Sequence, residues 1–236
     1  MRRTMLFIDL ENFEIARGNL YRDDDPTCPF PPFLEWTQLG PYIVNKIGDN
    51  YELTKTFLFL PRPDNFLMKE TWRAKRYHFF SHLSDTDFFK VIEGRHVARN
   101  TGRDPIDLSD KTSYYVTEKG TDVNLACQLL TKAFHNAFDC AVVLSSDTDY
   151  IPVYNVLSTL GKLVVVCGTE GSNFTPFRSC TDKQMALTFE DLQALESSDF
   201  NRNRPDVPTD DTEDMNKGWF SWLKETLGTI KSKDEG

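Results

Sequence analysis

Residues 140–168 read CAVVLSSDTDYIPVYNVLSTLGKLVVVCG, and this stretch decides the fold. Cys140–Leu144 is a short apolar run that stops at Ser145-Ser146-Asp147, and Leu163–Cys167 is a second. Short valine-rich runs bounded by turn residues read as strands covered on both faces. Between them Asp149–Leu160 has the length of a short helix, ended by Gly161. Strand, helix and strand in that order imply parallel strands joined by a helical crossover.

Upstream, Thr121–Phe138 carries apolar residues at 123, 125, 126, 129, 130, 133, 134, 137 and 138, a helical period that Gly120 or Thr121 can cap. Thr4–Asp9 (TMLFID) is a buried strand ending on a carboxylate. Leu53–Leu60 is another, closed by Pro61-Arg62-Pro63, and Phe88–Val97 is a third. Phe33–Ile47 has a helical period interrupted near Gly40-Pro41, and Asn65–Leu83 reads as a helix rich in aromatic and basic residues. Residues 20–32, with Asp23–Asp25 and four prolines, have loop chemistry. The expected fold class is therefore α/β, a sandwich with a mostly parallel sheet. One domain is expected over 1–196. An acidic polar linker follows over 197–217, then an amphipathic tail over 218–236 in which Trp219, Phe220, Leu223, Leu227 and Ile230 share a helical face.

Of the 236 residues, 39% are hydrophobic and 18 are Phe, enough to build a core and exclude a disordered chain. No apolar run approaches the roughly 20 residues of a membrane span. The segment before Asp9 is too short for a signal-peptide core. The five cysteines are odd in number and contain no C-x-x-C pair, which favours reduced thiols and a cytoplasmic location. The four histidines have no metal-ligand spacing with them, so zinc is not expected. A net charge of -9 argues against indiscriminate binding to nucleic acid. It is uneven, though. Residues 61–103 hold nine Lys/Arg against five Asp/Glu, and residues 190–236 hold six against twelve.

In open α/β sheets ligands bind beyond the carboxyl ends of the strands. Asp9 ends the first strand, with Glu11 and Asn12 just after it. Asp147 and Asp149 follow the CAVVL strand, and Asp122 lies in the first turn of a helix after Lys119-Gly120. Carboxylates gathered without compensation repel one another. Hydrated Mg²⁺ or Mn²⁺ is the usual remedy, and such ions activate water for attack at phosphorus.

Three segments, FIDLEN (7–12), EKGTDVNLACQLL (118–130) and 142–168, together resemble the NYN domain family of the PIN-like nuclease superfamily. The resemblance spans about residues 4–190, most closely at 5–12 and 117–168. It implies a Rossmann-like α/β/α sandwich and a Mg²⁺- or Mn²⁺-dependent ribonuclease acting on RNA. It places Asp9, Asp122, Asp147 and Asp149 at the catalytic and metal-binding positions, with Asn12, Ser145 and Lys119 in support. Many members have Gly where Ser146 stands.

Each residue also has a plain structural reading. Asp9 could be a turn residue, Asp122 could answer the helix dipole, and Asp149 or Asn12 could be a helix cap. Arg73, Lys75 and Arg76, set among Trp72, Tyr77, Phe79 and Phe80, could grip RNA, or could lie on the wet side of an amphipathic helix. Two other functions compete. A non-catalytic RNA-binding or scaffold protein could use the same fold. A haloacid-dehalogenase-like phosphatase would want D-x-D at the first strand, where Asp9-Leu10-Glu11 stands. The tail is expected to dock on the domain or to bind a second copy or another protein.

Overall fold

The computed structural model describes residues 1–24, 31–102 and 105–197. Of the linker and tail read from the sequence, residues 198–236 lie outside the described residues.

Seven strands form one sheet in the order β4-β3-β2-β1-β5-β6-β7. They are β1 (Arg2–Asp9), β2 (Tyr51–Pro63), β3 (Phe89–Asn100), β4 (Tyr114–Lys119), β5 (Cys140–Leu144), β6 (Leu163–Thr169) and β7 (Lys183–Leu187). All neighbours run parallel except β3 and β4. The helices are α1 (Leu10–Asp24), α2 (Trp36–Ile47), α3 (Thr71–Ser81), α4 (Thr121–Phe134), α5 (Ile151–Thr159) and α6 (Phe189–Gln193). The chain is thus an α/β fold with a mostly parallel sheet, of the PIN-like kind.

Alternation along the strands divides the core in two. Leu6, Ile8, Leu58, Val142 and Leu144 pack with Phe13, Trp36, Leu39, Ile43 and Phe80, on the α1, α2, α3 and α6 side. Phe7, Phe57, Phe59, Ala141 and Val143 pack with Leu125, Leu129, Tyr154 and Leu157, on the α4 and α5 side. Phe7 stacks on Phe57 at 5.1 Å between ring centroids and meets Phe138 edge-on at 6.0 Å. Asp9 follows the parity of Phe7, so this alternation aims its carboxylate at the α4 and α5 layer.

The structure corrects several expectations. Residues 20–24 belong to α1 and are not loop. That helix buries an ion pair, Arg17 Nε to Glu14 Oε1 at 3.0 Å, and Arg17 also donates to the Pro32 carbonyl. Two buried charges break the apolar period by which a helix is recognised. α2 continues through Gly40-Pro41. At Gly40 a Cβ would lie 2.8 Å from Leu53 Cδ2 and 2.9 Å from Thr56 Oγ1, so the glycine lets the helix lie close on β2. β2 continues through Pro61 and Pro63 because its pairing with β1 stops at Phe59, and proline is tolerated on the free side of a strand. β4, β7 and α6 are additional to the elements read from the sequence, and α4 stops at Phe134.

β3 also overshoots its neighbours. Ile92 is level with Phe59, and hence with Asp9, yet the strand runs on to Asn100. β4 returns beside this overhang and ends at Lys119, opposite Arg95. The chain then turns at Gly120, whose φ of +82° favours glycine, into α4. At Gly94 α4 touches the sheet: a Cβ there would lie 2.0 Å from Thr121 Oγ1.

Candidate active site

The strand order reverses between β1 and β5. The chain builds outward from β1 through β2, β3 and β4, then crosses back through α4 to place β5 on the other flank. Such a switch point leaves a crevice at the carboxyl ends of the strands. Asp9 ends β1 there, and Ser145 follows β5.

Asp9 is buried and uses both oxygens. Oδ1 accepts from the Asn12 N–H at 3.3 Å, so Asp9 is the N-cap of α1. Oδ2 accepts from Ser145 Oγ at 3.1 Å and lies 3.3 Å from the Tyr150 hydroxyl. The same hydroxyl donates to Asp122 Oδ1 at 3.0 Å. One phenol therefore ties the end of β1 to the first turn of α4. Burial, together with the charges of Asp122 and Asp147, pushes the Asp9 carboxyl up to about 7.

The β5 turn is fixed from both sides. Ser146 donates its N–H (2.9 Å) and its hydroxyl (3.2 Å) to Asn12 Oδ1. Ser145 Oγ, buried, accepts from the Asp147 N–H at 3.2 Å. Asp147 Oδ1 accepts from the Asp149 N–H at 2.9 Å and caps the 3₁₀ turn Thr148–Tyr150. The cap is thus Asp147 and not Asp149, which is exposed in the turn. Asp122 is exposed as well, and Lys119 is exposed at the end of β4. Among the described residues no three His, Cys, Asp or Glu side chains stand close enough together to hold a metal ion unaided. What the fold gathers is the pair Asp9 and Asp122, with Asp147 and Asp149 on the adjoining turn. Mg²⁺ suits such a set, because it keeps several waters and takes one or two carboxylates plus substrate phosphate.

Sequence reasoning missed Tyr150 and Glu118. Tyr150 directly follows the acid pair, and an aromatic at that place was the available signal. Glu118, on β4, has its carboxyl raised by burial and by the charges of Glu11, Asp9 and Asp122. It stands immediately before Lys119-Gly120. Glu11 is buried, with Oε1 2.9 Å from Arg76 Nη2, a charge contact that is not aligned as a hydrogen bond.

That pairing corrects the expectation for α3. Arg76 and Arg73 are buried, Arg73 being paired with Glu70, which also binds Lys111. Their guanidinium groups face acids inside the fold and do not lie on the wet side of the helix. Lys75 is half-buried. Below the site lies Tyr154, fully buried, whose hydroxyl has no partner among the described residues. A groove of about 410 Å³ adjoins Asn12 and Ser146 and carries Asp23 and Glu170 on its walls.

The family description "NYN domain" matches residues 3–188, the segment that contains every residue of this site. The chain belongs to the NYN domain family. Membership in the NYN domain family points to a nuclease-type hydrolase. No curated protein matches the chain. Among solved structures it is similar to a Vibrio parahaemolyticus protein of unknown function, at 14% identity over 79% of this chain and 93% of that one, with a TM-score of 0.48. None of the described helices is long and apolar enough to cross a membrane.

Proposed function

We propose that this NYN domain is a divalent-metal-dependent ribonuclease. The observation that carries the reading is the Tyr150 bridge, which holds Asp9 and Asp122 together at the switch point beside Asp147. Asp9, Asp122, Asp147 and Asp149 are the candidate ligands for Mg²⁺ or Mn²⁺. When bound, the ion supplies an activated water and neutralises charge at the scissile phosphate. Ser145 and Asn12 hold the β5 turn against α1, so the two sides of the crevice keep their spacing. The raised Asp9 carboxyl supports the assignment, since a buried acid crowded by like charges gains most from a cation. Glu11 is engaged by Arg76, which leaves the first strand without the second free acid that a D-x-D phosphatase needs.

The test is incubation with labelled single-stranded RNA, tRNA, rRNA and single-stranded DNA in Mg²⁺, Mn²⁺ or EDTA. The expected result is metal-dependent cleavage of RNA, leaving a 5′-phosphate and a 3′-hydroxyl. Products ending in a 2′,3′-cyclic phosphate, or full activity in EDTA, would overturn it.

A further inference from the structure

The overhang of β3 and β4 has two faces, and the strand register assigns each residue to one of them. His96, Ala98 and Asn100 on β3 oppose Glu118, Val116 and Tyr114 on β4. On this face His96 and Tyr114 are buried, Ala98 and Val116 half-buried, and Glu118 and Asn100 exposed; Glu118 also feels the charges of Asp9 and Asp122. Arg95, Val97 and Arg99 oppose Lys119, Thr117 and Tyr115 on the other face. There Arg95, Arg99 and Lys119 are exposed, and Tyr115 is 53% exposed. Six positions hold three cations, an open aromatic ring and no acid, on a chain whose net charge is -9.

Arg95 and Lys119 stand directly opposite each other in the ladder. Like charges so placed destabilise a sheet. Among the described residues none of the three cations makes an ion pair, in contrast to Arg73, Arg76 and Lys111 close by. The three cations therefore stand open to an anion from solution. Arg95 and Arg99 lie about 13 Å apart along the strand, a span suited to a chain of charges and not to one carboxylate. The exposed tyrosine beside them adds a stacking platform. Phosphate contacts combined with base stacking are how single strands are held.

We infer that this outward face of the ribbon binds single-stranded RNA, with Arg95, Arg99 and Lys119 on phosphates and Tyr115 under a base. The inference rests on the ribonuclease reading for its choice of RNA. It supplies what α3 does not, a cationic surface open to substrate. Lys119 is three residues from Asp122, so a strand gripped here enters the site over the end of β4.

The experiment measures binding of a fluorescein-labelled 20-nucleotide single-stranded RNA by anisotropy in EDTA, from 50 to 200 mM KCl. For single strands the salt slope is about -0.7 per phosphate contact. Combining Arg95→Gln with Arg99→Gln should therefore flatten the slope by about 1.4. Tyr115→Ala should weaken binding about tenfold and leave the slope alone. The charge-matched pair Lys90→Gln and Arg178→Gln, exposed elsewhere, should change neither. An unchanged slope in the Arg95/Arg99 variant, or no binding by the unaltered chain at 50 mM KCl, overturns the inference. Equal losses toward polyglutamate with no effect of Tyr115→Ala on RNA overturn RNA as the occupant. If the variants behave as expected but no RNA is cut in Mg²⁺ or Mn²⁺, the ribbon stands and the nuclease reading falls.

Discussion

Tyr150 and Tyr154 lie one helical turn apart, and both are buried beneath the aspartates, yet removing the hydroxyl should have opposite consequences at the two positions. At Tyr150 the hydroxyl stands 3.0 Å from Asp122 and 3.3 Å from Asp9. Losing a hydrogen bond to a charged acceptor costs about 1.5–3 kcal/mol. Tyr150→Phe should therefore destabilise the metal-free chain by about 2 kcal/mol. For a domain of this size that is a fall of roughly 4–8 °C in Tm. At Tyr154 the hydroxyl is buried with no partner among the described residues. The folded chain bears its desolvation penalty without return, so Tyr154→Phe should stabilise by about 1 kcal/mol, or roughly 2–4 °C. The assay is thermal unfolding followed by near-ultraviolet circular dichroism in EDTA. Shifts of the same sign in both variants, or a Tyr150→Phe variant that melts with the unaltered chain, would refute the bridge as the tie between β1 and α4.

Asp147→Asn, which removes charge without volume, should lower metal-dependent cleavage by about a hundredfold or more, with an unchanged circular dichroism spectrum. Retained activity removes Asp147 from the site. Gly94→Ala should cost more than about 2 kcal/mol in urea unfolding, since its methyl would lie 2.0 Å from Thr121 Oγ1 and must push α4, and Asp122 with it, off β3. A neutral result means that the helix start is not seated there. Burial, followed by the charges of Arg76 and Arg73, depresses the His96 imidazole to about 3. Because the unfolded chain takes up that proton near 6.5 and the folded chain does not, the contribution of His96 is complete above 6.5. It is lost as the pH falls toward 3, and amounts to about 2 kcal/mol by pH 5. Urea titrations at pH 7.5 and 5.0 should show this extra loss in the unaltered chain relative to His96→Gln. Equal losses in the two proteins would mean that His96 titrates normally.

The central strands were legible because each is a dense apolar run ended by a turn or a carboxylate. Runs such as Cys140–Leu144 and Leu163–Cys167 admit little else. α1 was not, because Glu14 and Arg17 are buried against each other and mimic a wet surface. The same disguise hides the burial of Arg73 and Arg76, whose sequence is equally that of a surface helix. Charge in a sequence records composition, and only packing decides whether the partner is water or another side chain. β4 was missed because YYVTEK is a short edge strand with polar alternation. The aspartates could be named in advance, since strand ends and helix starts are local signals. Their joining through Tyr150 is a tertiary event that no local spacing encodes.

Asp9 divides its work between two oxygens, one capping α1 and one facing Ser145 and Tyr150. An asparagine could keep the first duty with its amide oxygen and still lose the charge of the second. The first helix alone would thus keep Asp or Asn at this place, whether or not a domain of this fold cleaves RNA. For anyone sorting active from inactive descendants of this fold by sequence, the strand-end acid is a poor witness. Asp122 caps no helix here, so its loss would be the more telling sign.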